Sequence, residues 1–494
     1  MKELAISGYT QAEKDKYLFE CFHDSGFLEK IIKGEYSIIA GRTGTGKTAI
    51  ARFLEEKYED YGLFTATRIS ITAFTPERLS TSSEYVEEKI LIYILLKTVR
   101  HLLEENLLSK KSKSYWEAVF KSAGMQAVND YKSFVTTEKE NFIGLSMPIT
   151  GQIKETLSPQ ELLITSENIF HSLITSLEDY GETVGYLMFV DDLSDYLDDV
   201  DSKQLKDDIQ LIKEVVTRLD LFNTELEDKK KGLRFVSCIR DDLFEWMEGS
   251  NINKLRSSAL FLKWDEKSFA SLLIRRLPYF RNDLEAALAD PIDSLRAFFP
   301  DEIFQERLQL FEVNRYHSNF YAYMVAISFN RPRDFLAFCH SMEDRLSTEH
   351  EVAIENIDSA EIEYTEYFTS EVKDELYLAS RVLDFPADTK SINSLIDLLA
   401  KKEGFSSAQL RTDLASFLDE KTSVGKNKIE KFIYNLWWYG ILGFKEKKTK
   451  FAQFKYVANS AQFIQERTNE YGYFLHRGLW WFTQKRRGHR QTER

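Results

Sequence analysis

Residues Gly41–Thr48 read G-R-T-G-T-G-K-T, which matches the pattern G-x-x-x-x-G-K-[ST] at each defined position. An apolar run, Tyr36–Ala40, precedes this stretch, and a helix-forming segment, Ala49–Lys57, follows it. A strand that turns through glycines into a helix aims several backbone N–H groups at one point, where they bind phosphate oxygens. The sequence therefore predicts a phosphate-binding loop at the end of a strand.

The lysine and threonine that end this loop carry distinct chemistry. Lys47 is expected to place its ammonium on the β- and γ-phosphates of a nucleoside triphosphate, and Thr48 to bind Mg²⁺ through its hydroxyl. A purely structural glycine turn, the alternative interpretation, does not account for this Lys-Thr pair. We therefore expect ATP and Mg²⁺ as cofactors, with the nucleotide held by a continuous set of residues: Gly41, Arg42, Thr43, Gly44, Thr45, Gly46, Lys47, Thr48 and Ala49.

The composition is that of a soluble globular protein. The chain has 494 residues, a length that is enough for about three domains. Of these residues, 43% are hydrophobic and 29% are charged, as is typical of globular proteins. Its 3 cysteines lie too far apart for a disulfide framework or a metal site, and the chain begins without a secretory core. We therefore expect a reducing cytoplasm and no membrane span. The net charge of -14 argues against broad nucleic-acid coating but allows a local basic patch.

Apolar runs that alternate with helical patterns predict a parallel sheet with helices on both faces. Besides Tyr36–Ala40, the predicted strands are Leu63–Ile71, Tyr186–Val190, Leu233–Ile239 and Ala259–Lys263. The helices expected around them are Gln11–Phe22, Glu84–Leu103, Pro159–Leu177 and Asp201–Leu221. Residues 104–160 are polar without a clean period, which indicates an insertion. The predicted fold class is α/β, a P-loop NTPase sheet followed by further domains.

The rest of the chain predicts a helical lid and a winged helix. Residues 265–385 show only helical periodicity, and the acidic stretch Glu349–Glu375 is interpreted as a solvated helical face or a linker. Three short helices then precede two predicted strands, Ile441–Lys445 and Phe454–Val457, which is the order of a winged helix. The predicted domains are an ATPase core at 1–264, a lid at 265–385, a winged helix at 386–460 and an aromatic, basic tail at 461–494.

Two aspartates that follow the strand Tyr186–Val190 supply the second half of the predicted nucleotide site. Asp191 is expected to hold Mg²⁺ through water, together with Thr48. Asp192 is placed to orient the attacking water, with a solvated carboxylate at the strand end as the alternative. Because aspartate is shorter than the glutamate usual at this place, we expect slow hydrolysis or use as a switch.

Three arginines are candidates for contact with the γ-phosphate. Arg240 ends the strand Leu233–Ile239 at the sheet edge where ligands bind, and an ion pair with a neighbouring aspartate is the alternative. Arg256 is a candidate for action within the chain or on a neighbouring subunit, with a solvated basic turn as the alternative. Arg333, in the segment R-P-R-D, is a candidate for reaching the nucleotide from the lid.

The chain resembles bacterial P-loop ATPases of the AAA+/STAND type, and most of all the family related to KAP and Orc-type NTPases that ends in a winged helix. From about Glu13 to Phe463, the likeness is carried by the order G-R-T-G-T-G-K-T, L-M-F-V-D-D, F-V-S-C-I-R-D-D-L-F, N-K-L-R, L-K-W-D and R-P-R-D-F. The resemblance implies that Arg240 is a sensor and that Arg333 belongs to the lid. It also implies an ATPase that oligomerises or controls a protein effector partner, in loci that often serve phage defence.

A second interpretation is a nucleotide-gated DNA-binding or scaffold module with negligible turnover. It depends on a basic stripe on the last predicted helix and its wing, which suits phosphate contacts. The stripe consists of Lys426, Lys428, Lys431, Lys445, Lys447, Lys448 and Lys450. A winged helix used for protein packing is the alternative to DNA binding.

Overall fold

The structure is a computed structural model that describes residues 11–71, 86–122, 165–179, 184–193, 202–247, 249, 251–310, 319–342, 354–380, 389–402, 404–419, 426–446 and 471–480. The chain divides into two units, and each is described by itself. The sheet unit comprises Asp24–Thr43 and Lys47–Leu262. The C-terminal unit comprises Met1–His23, Gly44–Gly46 and Lys263–Arg494.

The sheet unit is built on a five-stranded parallel sheet. Its strands are β1 (Ile38–Ala40), β2 (Thr65–Ser70), β3 (Tyr186–Asp191), β4 (Leu233–Ile239) and β5 (Ala259–Phe261). They lie in the order β2-β3-β4-β1-β5, and each neighbouring pair is parallel. Each residue of β3 is buried, as expected for a strand covered on both faces. The predicted parallel sheet is confirmed.

The strand order brings three chain segments to one edge of the sheet. Because β4 lies between β1 and β3, the residues that follow these three strands leave the sheet side by side, at the edge formed by the carboxyl ends of the strands. These residues are the start of the predicted phosphate loop (Gly41–Thr43), the pair Asp191-Asp192 and the segment Arg240–Asp242.

Helices surround this sheet, and one of them lies where the sequence predicted an irregular insertion. The described helices of the sheet unit are Phe27–Ile32, Lys47–Lys57, Tyr58–Tyr61 (a 3₁₀ turn), Val86–Glu104, Lys110–Ser122, Ser166–Ser176, Ser202–Asp228, Leu243–Trp246 and Ile252–Ser257. In the second half of Lys110–Ser122, Trp116 is fully buried in the hydrophobic core and donates its indole N–H to Ser176 Oγ at 3.0 Å. Residues 123–164 lie outside the described part of the chain.

The C-terminal unit is helical with one small sheet. Its described helices are Leu18–Cys21, Glu266–Arg276, Pro278–Phe280 (a 3₁₀ turn), Leu284–Ala289, Pro291–Phe298, Asp301–Leu310, Phe320–Ile327, Pro332–His340, Ile354–Ser380, Thr389–Leu399, Ser407–Asp419 and Lys426–Trp438. The sheet is antiparallel in the order β6 (Gly404–Ser406), β8 (Tyr471–Leu475), β7 (Leu442–Glu446). The predicted strand Phe454–Val457 lies outside the described residues. No helix among the described residues is long and apolar enough to cross a membrane.

The predicted helix Gln11–Phe22 is much shorter in the structure, where only Leu18–Cys21 is helical. Asp15 provides the reason, because its Oδ1 accepts a hydrogen bond from the backbone N–H of Tyr17 at 3.1 Å. Side chains that bond to nearby backbone compete with helix formation. The Asp15 carboxylate is also paired with buried Arg276, which ties this segment to the helix Glu266–Arg276.

The acidic stretch Glu349–Glu375, which the sequence predicts to be a solvated helical face or a linker, is only partly solvated where the structure describes it: Glu363 and Glu366 are exposed on a helix, but other acids are buried. Within the helix Ile354–Ser380, Glu361 and Glu375 are buried. Glu361 accepts a hydrogen bond from the Tyr323 hydroxyl, and Glu375 lies 3.7 Å from a guanidinium nitrogen of buried Arg331. Charged residues are buried when partners compensate them, and these partners come from distant parts of the sequence.

Candidate functional site

Thr48 and Asp191 meet at the carboxyl edge of the parallel sheet. Thr48 lies in the first turn of the helix Lys47–Lys57, and Asp191 is the last residue of β3. The Thr48 hydroxyl donates to Asp191 Oδ2 at 2.8 Å, and Asp191 is only 2% exposed. Hydroxyl and carboxylate oxygens are hard ligands of the kind that Mg²⁺ prefers. The structure thus brings the two predicted metal-site residues together.

The ammonium of Lys47 is held by the phosphate loop itself. Its Nζ donates to the carbonyl oxygens of Gly41 at 2.7 Å and of Arg42 at 3.2 Å. Burial lowers the pKa of Lys47 below its ordinary value, while the nearby Asp191 carboxylate acts in the opposite direction. These carbonyl contacts hold the ammonium in the loop, where phosphate oxygens would be stronger partners.

Gly44, Thr45 and Gly46 form the middle of the loop and belong to the C-terminal unit. Gly44 has a φ of 86°, in the left-handed region that glycine adopts at no steric cost. Within that unit, the Thr45 carbonyl accepts the indole N–H of Trp264 at 2.9 Å. The Gly44 carbonyl accepts the backbone N–H of Arg333 at 3.4 Å, and a Cβ on Gly44 would lie 2.9 Å from Arg333 Cβ. Glycine is therefore required at position 44.

The segment R-P-R-D contains two arginines with different surroundings. Arg331 is 1% exposed and bonds to Asp334 Oδ1 at 2.8 Å and to Glu371 Oε2 at 2.7 Å. The Arg333 side chain is 23% exposed, and its Nη1 lies 3.9 Å from Glu371 Oε1. Arg331 is thus an internal ion-pairing residue, whereas the Arg333 backbone lies against Gly44 of the loop.

Two side chains of β2 that were not predicted for the site contact its carboxylates. Arg68 Nε lies 2.9 Å from Asp191 Oδ2, and Arg68 Nη2 lies 2.8 Å from Asp192 Oδ2. The Ser70 hydroxyl donates to Asp192 Oδ2 at 2.5 Å. Arg68 and Ser70 are two positions apart and therefore share a face of the strand. Their places near the carboxyl end of a predicted parallel strand were the signal that could have identified them.

Asp191 and Asp192 form a crowded acidic pair. Burial raises the pKa of Asp191 and the Asp192 carboxylate raises it further, whereas the Arg68 guanidinium and the Thr48 hydroxyl lower it. Asp192 has a φ of 65°, which is uncommon for a residue other than glycine. This conformation ends the strand and lets two successive carboxylates face one guanidinium. The Asp192 side chain is 12% exposed, so it is not the solvated carboxylate of the alternative interpretation.

Arg240 makes the ion pair that the sequence left as an alternative. Its Nε lies 3.0 Å from Asp242 Oδ1, and its Nη2 lies 2.8 Å from Asp242 Oδ2. Asp241, which lies between them in sequence, is a third residue that was not predicted for the site. Its Oδ1 is buried and accepts no hydrogen bond from the described residues. Burial raises the pKa of Asp241, whereas Arg42 and Lys47 favour its charged form.

The remaining predicted residues lie apart from these contacts. Arg256, on the helix Ile252–Ser257, donates from Nη2 to the carbonyl oxygen of Phe244 at 3.1 Å, so it is not a solvated basic turn. Its predicted role at a subunit interface stays a prediction. Of the basic stripe, Lys431 is exposed on the helix Lys426–Trp438. Lys447, Lys448 and Lys450 lie outside the described residues.

Two solved structures are remotely similar to this chain. A Walker-type ATPase of Pyrococcus abyssi has 14% identity and a TM-score of 0.40, and the match covers 90% of this chain and 95% of that one. Cdc6p of Pyrobaculum aerophilum has 11% identity and a TM-score of 0.30, with 93% of this chain and 91% of that one covered. No protein-family model matches the sequence, and no curated protein matches it.

Proposed function

We propose that this chain binds ATP with Mg²⁺ at residues 41–48 and hydrolyses it slowly. The observation that carries the proposal is the 2.8 Å hydrogen bond between the Thr48 hydroxyl and Asp191, next to the partly buried Lys47, whose ammonium is held by the loop carbonyls. Together these groups offer a hydroxyl ligand for the metal, a carboxylate to hold it and a cation for the phosphates. The oxygen donors fit Mg²⁺, and the loop fits a polyphosphate.

Each residue has a defined task in this mechanism. Lys47 would exchange the carbonyls of its own loop for β- and γ-phosphate oxygens. Thr48 and Asp191 would hold Mg²⁺, which would supply positive charge to neutralise the phosphates. Asp192 orients the attacking water. Because Arg68 and Ser70 already bond to Asp192, this carboxylate must leave or share those contacts before it binds water, which supports slow turnover.

Nucleotide binding and hydrolysis at the proposed site would serve to control a partner in the cytoplasm. Nucleotide-dependent conformational change or oligomerisation would act on a protein effector, and the resemblance stated above suggests phage defence as the setting. The second candidate is a nucleotide-gated DNA-binding or scaffold module with negligible turnover. The contact between Arg68 and Asp192 favours this candidate, because the ion pair engages the carboxylate that would otherwise orient the attacking water.

Two substitutions test the site. We expect Lys47→Ala to weaken binding of ATP by about a hundredfold, the effect of losing about 2.7 kcal/mol, and Asp191→Ala to remove Mg²⁺-dependent turnover. Binding is measured by calorimetry, and steady-state hydrolysis is measured with and without duplex DNA. Lys57→Ala, at the other end of the same helix, is the matched control.

The outcomes separate the two candidate functions. Wild-type affinity for ATP in both Lys47→Ala and Asp191→Ala would exclude this site. Tight ATP binding without measurable hydrolysis, in the presence and absence of DNA, would favour the gated module over the ATPase.

A further inference from the structure

Both carboxylates of the candidate site are paired with one cation from the same sheet, the Arg68 guanidinium, which we call the internal cation. Arg68 bridges Asp191 and Asp192 through separate nitrogens, and the three side chains are 16%, 3% and 12% exposed, respectively. Two adjacent carboxylates that are removed from water disfavour each other's ionisation unless a positive charge compensates them. Among the cations of the described residues, the Arg68 guanidinium contributes most to that compensation at Asp191, and the Lys47 ammonium adds to it.

Arg68 is held in place from its backbone as well. Glu55, on the helix that follows the phosphate loop, accepts the backbone N–H of Arg68 at 3.2 Å and the Thr67 hydroxyl at 3.1 Å. The parallel register of β2 and β3 places Ser70 beside Asp191. The helix and the strand thus direct the guanidinium toward the acidic pair.

One oxygen atom is shared by the internal cation and the proposed metal site. Asp191 Oδ2 accepts hydrogen bonds from both the Thr48 hydroxyl and Arg68 Nε–H. Mg²⁺ keeps several ordered waters in a near-ideal octahedron, and these waters need the carboxylate oxygens that Arg68 occupies. Arg68 and hydrated Mg²⁺ would therefore compete for Asp191.

We propose that Arg68 is an internal counter-cation that neutralises Asp191 and Asp192 while Mg²⁺ is absent and leaves Asp191 when MgATP binds. Arg68 is a positioning residue, and its competition with the metal raises the Mg²⁺ concentration that the site requires. This inference rests on the proposed ATP site, and it concerns the metal dependence of nucleotide binding rather than the rate of hydrolysis.

The test measures binding of a fluorescent ATP analogue as a function of Mg²⁺ concentration. Arg68→Gln removes the charge and keeps a hydrogen-bonding side chain. We expect its half-saturating Mg²⁺ concentration to fall about tenfold below that of the wild type, the change that about 1.4 kcal/mol produces. Arg68→Lys, which keeps a charge but cannot bridge two carboxylates through one planar group, should give an intermediate value.

Arg234→Gln is the matched control for removing an arginine from the sheet. Arg234 lies on β4, its side chain is 13% exposed, and it pairs with Glu227 and the Gly34 carbonyl. This control should keep the wild-type Mg²⁺ requirement. If Arg68→Gln does not fold, Arg68→Gln/Asp192→Asn is compared with Asp192→Asn, because the double variant removes one negative and one positive charge together.

A half-saturating Mg²⁺ concentration that is unchanged or raised in folded Arg68→Gln, or in the double variant relative to Asp192→Asn, would overturn the inference. The proposed function fails separately. If the wild-type chain binds no ATP at any Mg²⁺ concentration, both proposals fall. If ATP binding is lost in Lys47→Ala while Arg68→Gln behaves as the wild type, only the counter-cation proposal falls.

Discussion

His476 shows how burial fixes the chemistry of a single side chain. The imidazole is fully buried, its Nε2 lies 2.9 Å from the Ser328 carbonyl oxygen, and its Nδ1 accepts the backbone N–H of Gly478 at 3.1 Å. Because Nδ1 is an acceptor, the ring proton must lie on Nε2 and the ring is neutral. Phe329 and Phe368 pack against the ring, so a charged imidazolium would be poorly solvated.

The protonation of His476 should appear in the pH dependence of stability. Burial lowers its pKa to about 4 from 6.5, with Asp334 opposing this shift and the nearby Arg477 and Arg331 adding to it. The unfolded chain therefore binds more protons than the folded chain between about pH 6.5 and pH 4. Stability should fall as the pH decreases through this window, by up to about 3 kcal/mol from this residue at about 1.4 kcal/mol per pH unit.

Denaturant titrations at several pH values check this expectation. His476→Gln keeps an N–H donor for Ser328 and cannot titrate, so its free energy of unfolding should depend less on pH across the window than that of the wild type. His171→Gln is the control, because the His171 side chain is 60% exposed. Equal pH slopes for the wild type and His476→Gln would contradict the assignment.

At the scale of elements, local signals were readable from the sequence and long-range pairings were not. The strand Leu233–Ile239 has the bounds that its apolar run predicts. A parallel strand that is buried on both faces forms a nearly continuous run of apolar residues, which is visible in the sequence. The contact between Arg68 and Asp191 joins positions 123 residues apart. It depends on β2 lying next to β3, a strand order that periodicity does not encode.

The two helices Pro332–His340 and Ile354–Ser380 are joined by a buried ionic cluster that the sequence also concealed. Arg331 bonds to Asp334 at the start of the first helix and to Glu371 on the second. The Tyr367 hydroxyl donates to Asp334 Oδ1 at 3.1 Å. Removing the arginine would leave the fully buried Asp334 without its cation, which is among the costly changes that a single substitution can make.

We expect Arg331→Met to lower the free energy of unfolding by about 3–5 kcal/mol, the cost of breaking a buried ion pair from one side. Arg333→Met is the control two residues away, and it should cost about 1 kcal/mol or less because the ion contact of Arg333 is long and partly exposed. Urea titrations of the two variants measure both values. An equal loss in the two variants would show that the cluster does not hold the helices together.

At the scale of the whole molecule, net charge opposes the one basic surface that the sequence predicted. The chain carries 79 acidic and 65 basic residues, so its long-range field repels nucleic acid. On the helix Lys426–Trp438, however, Phe432 and Leu436 are buried and Lys431 is exposed. Glu430, the acid next to Lys431 in this helix, is paired with Arg411. It therefore does not neutralise the charge of the exposed lysine.

This local charge predicts weak, sequence-tolerant binding of duplex DNA by the full chain, carried by Lys426, Lys428, Lys431, Lys447 and Lys448. Phosphate contacts release counterions, so a log–log plot of affinity against salt should have a slope of about −0.9 per phosphate contacted. Lys431→Ala should flatten that slope by about one unit and weaken all sequences alike. Lys33→Ala is the control, because Lys33 is also exposed but is paired with Glu29. Fluorescence anisotropy of labelled duplexes measures the slope.

Salt-independent binding, or no binding, would assign these C-terminal helices to protein contacts instead, because a surface that recognises DNA through its backbone must respond to salt.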